Sequence, residues 1–145
     1  MSVIIREVEI NDYECIAALC NQLGYPTTNE STLYRLQEIL NNTGSNCIYA
    51  AVDDDKVVGW IHGCYSLRVE SDPFVEIGGL IIDKNYRRMG IGKVLVEKIV
   101  EWSASKQCAK VRVRSNVVRN EAHEFYKGIG FYESKEQKVF VKTLL

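Results

Sequence analysis

Arg87-Arg88-Met89-Gly90-Ile91-Gly92-Lys93, entered directly from the apolar run Ile77-Gly78-Gly79-Leu80-Ile81-Ile82, is the stretch on which the fold turns. It reads as a strand, a short basic loop with two glycines, and the apolar-periodic start of a helix. That order makes a seat for phosphate. Gly90 and Gly92 allow a tight turn that exposes consecutive N–H groups, and the helix N-terminus behind them carries partial positive charge. Arg87, Arg88 and Lys93 add formal charge at the same place.

The chain around this loop has 145 residues, 46% of them hydrophobic, and a formal net charge of -1. That length and apolar content suit one domain, residues 1–145, with a real core. The near-neutral balance speaks against a nucleic-acid surface, and no apolar run approaches membrane-spanning length. The opening Met1-Ser2-Val3-Ile4-Ile5-Arg6 is too short and too soon charged for a signal peptide, so a cytoplasmic protein is expected. A second basic cluster, Lys110-Val111-Arg112-Val113-Arg114, alternates with valine and reads as the polar face of a strand. Cys15, Cys20, Cys47, Cys64 and Cys108 are scattered singly, as buried thiols are, without the pairing of a disulfide framework or a zinc site. His62 and His123 are the only histidines and lie far apart in sequence, so no metal is expected.

Upstream, residues 2–8 predict a strand. A helix follows with Asn11 as N-cap and Glu14 three residues on, an apolar face of Tyr13, Ile16, Ala17, Cys20 and Leu23, and a stop at Gly24-Tyr25-Pro26. Thr27 and Glu30 repeat the capping pattern for a second helix carrying Leu33, Leu36, Ile39 and Leu40, ended by Asn41-Asn42-Thr43-Gly44. Residues 47–52 and 56–66 predict a hairpin across Asp53-Asp54-Asp55. The acidic triplet is read as a solvated tip. Residues 68–73 predict a polar loop and 74–82 a strand. The helix after the basic loop, residues 90–103, draws its inner face from Ile91, Val94, Leu95, Ile99 and Trp102. A strand over 109–114, a helix over 120–127 and two strands near 131–133 and 138–144 close the chain. The expected fold is α+β, a mostly antiparallel mixed sheet of about seven strands flanked by about four helices, in the order βααβββαβαββ.

Two phosphate-binding designs do not fit. A P-loop needs G-x-x-x-x-G-K-[ST], but Val94 follows Lys93 and Arg87 stands at the first glycine; a dinucleotide fingerprint needs a third small residue where Leu95 stands. The pattern [RQ]-x-x-G-x-[GA] does fit, filled by Arg87, Gly90 and Gly92. Leu80-Ile81-Ile82-Asp83 precedes it, and Asn120-Glu121-Ala122-His123-Glu124-Phe125-Tyr126-Lys127-Gly128-Ile129-Gly130-Phe131 follows, with one helix and one strand between. Together these segments resemble the GNAT acyltransferase superfamily, whose N-x-x-A-x-x-F-Y-x-x-x-G-F run the second one matches.

That resemblance implies an N-acetyltransferase that uses acetyl-coenzyme A as co-substrate. Arg87, Arg88, Met89, Gly90, Ile91, Gly92 and Lys93 would grip its pyrophosphate. Leu80, Ile81 and Ile82 would run beside the pantetheine arm, with the Ile81 N–H or a neighbour as oxyanion donor. Gly78-Gly79 would form a bulge that opens the cleft for the thioester. Asn120 would bond the pantetheine or cap its helix, Phe125 would pack beside it, and Tyr126 would be the general acid. Glu76, between Val75 and Ile77, is the candidate general base, or else a cleft-wall charge that draws a cationic amine. Tyr25, the first-helix junction and the loop of residues 68–73 would bound the acceptor. The expected acceptor is a small primary amine, attacked directly in a ternary complex. A protein or peptide acceptor and a non-catalytic coenzyme A-binding module are the alternatives. A homodimer through residues 131–145 is expected by fold analogy.

Overall fold

Three apolar runs rich in β-branched residues build the middle of a sheet, and the turns between them set its register. The computed structural model describes residues 2–145; Met1, part of the N-terminal reading above, lies outside the described residues. The elements are β1 (Val3–Glu7), α1 (Tyr13–Gln22), α2 (Asn29–Leu40), β2 (Asn46–Asp53), β3 (Lys56–Arg68), β4 (Ser71–Ile82), α3 (Ile91–Ser105), β5 (Val111–Val113) and α4 (Asn120–Gly128). One sheet runs in the order β1-β2-β3-β4-β5; β1 to β4 are antiparallel neighbours and β5 is parallel to β4. Among the described residues no helix is long and apolar enough to cross a membrane.

The chain forms two units. The first runs to Val113 and holds the whole sheet with α1, α2 and α3; the second is Arg114–Leu145 and holds α4. In the first unit Ile16, Leu19 and Leu36 pack with Ile48, Ala50, Val52 and Ile81. Ile99 of α3 lies against Gly63 on the opposite face, where an added Cβ would come 2.9 Å from its Cδ1. Successive strand residues point to opposite faces, so Cys47 and Ile48 mark the two layers. Ile99 is fully buried. Ile99→Ala leaves a cavity the backbone cannot close, and urea unfolding is expected to show a loss of about 2–5 kcal/mol.

The β2–β3 hairpin turns on Asp54 and Asp55, both left-handed (φ 47 and 66), as a two-residue turn with the right twist requires. Residues 68–73 differ from the expected loop. Arg68 pairs with Ser71, so β3 and β4 continue into a second tight hairpin, and only Val69-Glu70 remain outside it.

The helix caps also shift. Asp12, not Asn11, organises the start of α1: it accepts the Glu9 N–H at 2.7 Å and two bonds from the Arg6 guanidinium at 2.8 and 2.9 Å. Burial pushes the Asp12 carboxyl up, but those partners win and hold it below its ordinary value. Thr28 caps α2 through the Ser31 N–H, because Thr27 is engaged by the Asn21 amide. In α3 Val96 takes the inner position expected of Val94, which is exposed.

Among the described residues the sheet has five strands, not seven, and residues 131–145 hold no strand. The alternation around Lys138-Val139-Phe140-Val141-Lys142 is strand-like, but Val139, Phe140 and Val141 are exposed. Alternation makes a strand only where one face is buried and an edge is paired.

Candidate active site

The basic loop is fastened at its base before it turns. The Asp83 N–H bonds Val58 O at 2.8 Å, and the Asp83 carboxylate accepts the Asn85 N–H at 2.9 Å, capping a 3-10 turn over Lys84–Tyr86. The Tyr86 hydroxyl donates to Asp53 Oδ2 at 2.7 Å, so the acidic triplet is more than a solvated tip: it anchors this loop. The Lys84 N–H reaches Gln22 Oε1 at 3.1 Å.

Beyond that base, Arg87 is extended, Arg88 is left-handed at φ 63, and Gly90 is left-handed at φ 79. The two glycines were expected to make the turn. Instead Gly92 lies inside the first turn of α3, and Arg88 shares the reversal with Gly90. A left-handed arginine costs about 1–2 kcal/mol, strain of the kind that collects at ligand sites. No side chain caps α3 and its first turn carries no carboxylate. The N–H groups of Ile91, Gly92 and Lys93 therefore keep the partial positive charge of the helix end. Ile91 is buried and pins the loop, while Arg87, Arg88, Met89, Gly90 and Lys93 are exposed. A polyanion fits this arrangement: donors and cations stand outside, and the first turn of α3 brings no carboxylate to them.

Upstream, the expected bulge is present. Gly79 pairs with His62 and Ile77 with Gly63, which leaves Gly78 as the extra residue of β4. β5 accompanies β4 only at Val75, Glu76 and Ile77. The two parallel strands thus part at the bulge. Leu80, Ile81 and Ile82 keep β3 on one side and present the other edge without a strand of this sheet. An extended amide-bearing ligand can pair with such an edge.

Glu76 lies just before the bulge, in register with Arg112. Arg112 Nη2 is 3.7 Å from Glu76 Oε1, and the same guanidinium sits 4.5 Å above the Phe74 ring. The strand expected over 109–114 is shorter, Val111–Val113, with all three residues half-buried, and its Arg112 supplies the partner of Glu76.

Sequence reasoning missed a second group on the same side. Trp60, His62 and Cys64 alternate along β3. An added Cβ on Gly79 would meet the Trp60 ring at 2.8 Å, and one on Gly78 would meet His62 Nδ1 at 3.0 Å. His62 Nε2 is 2.9 Å from Asn46 Oδ1, and Cys64 Sγ is 3.5 Å from the same nitrogen. Strand parity would have placed all three opposite Gly78-Gly79, had the bulge been used to set the register. No activated thiol stands here: burial pushes Cys47 up to about 12, and raises Cys20 and Cys64 as well.

Tyr25 follows α1, half exposed, with its N–H on Cys20 O at 2.9 Å. In the second unit Tyr126 sits between two aromatic rings, edge-on to Phe125 at 5.0 Å and to Phe131 at 5.4 Å. Asn120 is the first residue of α4, with Arg119 in the cap position, so the capping role expected of Asn120 is not filled.

Comparison with known proteins gives one family. A sequence model of the acetyltransferase (GNAT) family matches residues 11–131. N-acetylaspartate synthetase of Xenopus tropicalis is 32% identical over 95 residues, 66% of this chain and 34% of that protein. The chain thus spans about a third of the synthetase's length. Aminoglycoside N(6')-acetyltransferase type 1 of Acinetobacter genomosp. 13 is 22% identical, covering 85% of this chain and 87% of its own. N-alpha-acetyltransferase 30 of Saccharomyces cerevisiae is 24% identical, covering 93% and 79%. Among solved structures, AAC(6')-Iy in complex with the bisubstrate analogue CoA-S-monomethyl-acetylneamine has a TM-score of 0.86 at 19% identity, covering 99% of this chain and 100% of that one. An acetyltransferase of Trypanosoma brucei has a TM-score of 0.80 at 20% identity, covering 97% and 100%.

Proposed function

The chain belongs to the acetyltransferase (GNAT) family, and on that premise we propose that it moves the acetyl group of acetyl-coenzyme A to a small primary amine. The observation that carries this is the pairing of two features in the first unit. An uncapped, basic helix N-terminus suits a pyrophosphate, and it follows directly on a strand edge that β5 abandons at the Gly78 bulge.

In this reading Arg87, Arg88, Lys93 and the N–H groups that open α3 hold the diphosphate. Leu80 and Ile82 pair with the pantetheine amides, Ile81 or a neighbour donates its N–H to the developing oxyanion, and Asn120 and Phe125 contact the arm. Tyr126 gives its phenolic proton to the departing thiolate. The attack is direct, in keeping with cysteines that burial holds protonated. Tyr25 borders the acceptor. Of the two roles open to Glu76, the contact with Arg112 favours the cleft-wall charge, since one carboxylate oxygen already faces a fixed guanidinium.

Thiol release from acetyl-coenzyme A, measured across aminoglycosides, polyamines, amino acids and peptide N-termini, tests the reading. Peptides belong in the panel because one relative is named an N-alpha-acetyltransferase. Turnover with a small amine supports it. Tight coenzyme binding with no acceptor turned over would make this a binding module instead. Glu76→Gln is expected to raise KM for a cationic amine several-fold and leave kcat nearly unchanged, the effect of losing about 1 kcal/mol of charge attraction. A homodimer is proposed alongside, on the exposed Val139, Phe140 and Val141, and light scattering reads it directly.

A further inference from the structure

His62 is a half-buried imidazole on the central strand that no step above uses. Its surroundings fix its chemistry. Asn46 Nδ2 donates to Asn42 O at 3.1 Å, which turns Asn46 Oδ1 toward the imidazole. An amide oxygen only accepts, so the His62 proton sits on Nε2 and the lone pair on Nδ1. Among the described residues the one polar contact of Nδ1 is Cys64 Sγ at 3.9 Å. That nitrogen lies against the Gly78 bulge, where the absence of a side chain makes room for the imidazole: a Cβ there would stand 3.0 Å from Nδ1. Gly78 itself is exposed.

We propose that His62 Nδ1 is the base that takes the proton of the attacking amine, directly or through one water, at the bulge where β4 and β5 part. The proposal rests on the acetyl-transfer reading and supplies the group that Glu76, held by Arg112, leaves unfilled. The amine nitrogen forms the C–N bond, the C–S bond breaks, His62 Nδ1 receives the nitrogen's proton, and Tyr126 protonates the thiolate. Solvent then returns one proton and removes the other, so the two side chains end as they began.

The charges nearby leave this imidazole neutral. Asn46 and Ile48 face it from β2. Cys64, its neighbour on β3, has a thiol pushed up by burial and by Glu76. Glu76 on β4 is paired with Arg112 on β5. Burial alone acts on His62, and it lowers the imidazole below its ordinary value. A lowered value means that the base is ready at neutral pH, and that kcat falls only as pH drops through it.

The test compares wild type, His62→Gln and Asn46→Asp, reading kcat against pH with a turned-over amine and coenzyme affinity separately. His62→Gln is expected to lose about a hundredfold in kcat at unchanged coenzyme affinity, with free imidazole restoring part of the rate in His62→Ala. Asn46→Asp places a carboxylate on Nε2–H, which stabilises the imidazolium and moves the acid limb of kcat to higher pH. Wild-type turnover with His62→Gln within threefold of it overturns the role of His62 and leaves acetyl transfer standing. Absence of wild-type turnover with every amine overturns both. Should His62→Gln lose coenzyme binding, an unmoved limb in Asn46→Asp overturns the proposal.

Discussion

Tyr126→Phe is expected to lower kcat about a hundredfold or more while leaving coenzyme affinity nearly unchanged and the fold intact. The separation follows from the environment of the ring. Tyr126 packs edge-on against Phe125 and Phe131, and phenylalanine keeps both contacts. Only the hydroxyl is lost. A coenzyme thiol ionises near pH 8.5 and a phenol near 10, so the phenol is a donor of workable strength to a leaving thiolate. Without it, the thiolate must leave unprotonated or wait for water. The measurement is steady-state thiol release, set beside coenzyme titration and a melting curve. A kcat within threefold of wild type would remove Tyr126 as the acid and make it a packing aromatic, the role Phe125 already fills.

How far sequence reached into this molecule depends on the range over which each feature is decided. The basic loop, the helix behind it and the glycine pair in β4 are local. Arg87 to Lys93 and Gly78-Gly79 carried their local form, a loop before a helix and a bulge in a strand, and their place in the order of elements. The two closing strands were not local. Lys138 to Lys142 alternate as a strand does, but pairing is decided by what lies alongside, and alternation cannot express that. Capping failed for a related reason. Asn11 and Asp12 are both good cap residues, and the choice fell to Asp12 because Arg6, on a different element, reaches it.

The site divides in the same way. Glu76 stands out in the sequence as a candidate because a carboxylate among apolar residues is visible in one dimension. Its partner Arg112 lies 36 positions later and becomes its neighbour only through the parallel pairing of β4 and β5. His62 was invisible for a further reason. Its importance comes from the bulge, which shifts the register by one and sets the imidazole opposite Gly78 and Gly79 rather than beside a packed side chain. Isolated histidines in strands are commonplace; an imidazole with one nitrogen tied to an amide and the other facing a glycine bulge is not.

Gly90→Asp separates binding from folding at the other end of the site. Gly90 is left-handed, and an added Cβ there meets open space, so the substitution strains the backbone without a clash. Aspartate tolerates that conformation better than most residues, and a carboxylate at a helix start is stabilising. These effects oppose each other, and the net change in stability is expected within about 1 kcal/mol. Coenzyme affinity has no such compensation. The new carboxylate stands before the N–H groups that open α3 and repels the diphosphate they would hold, as Arg87, Arg88 and Lys93 attract it. A loss of about a hundredfold in coenzyme affinity is expected, some 2.7 kcal/mol, with most of it relieved as salt is raised. Gly90→Ala carries the same backbone strain without the charge, and its loss should be tenfold or less. Calorimetric titration of both variants with coenzyme A decides the matter. Equal losses in the two would mean that the turn, and not the charge, governs binding; an undisturbed affinity in Gly90→Asp would move the diphosphate away from this loop.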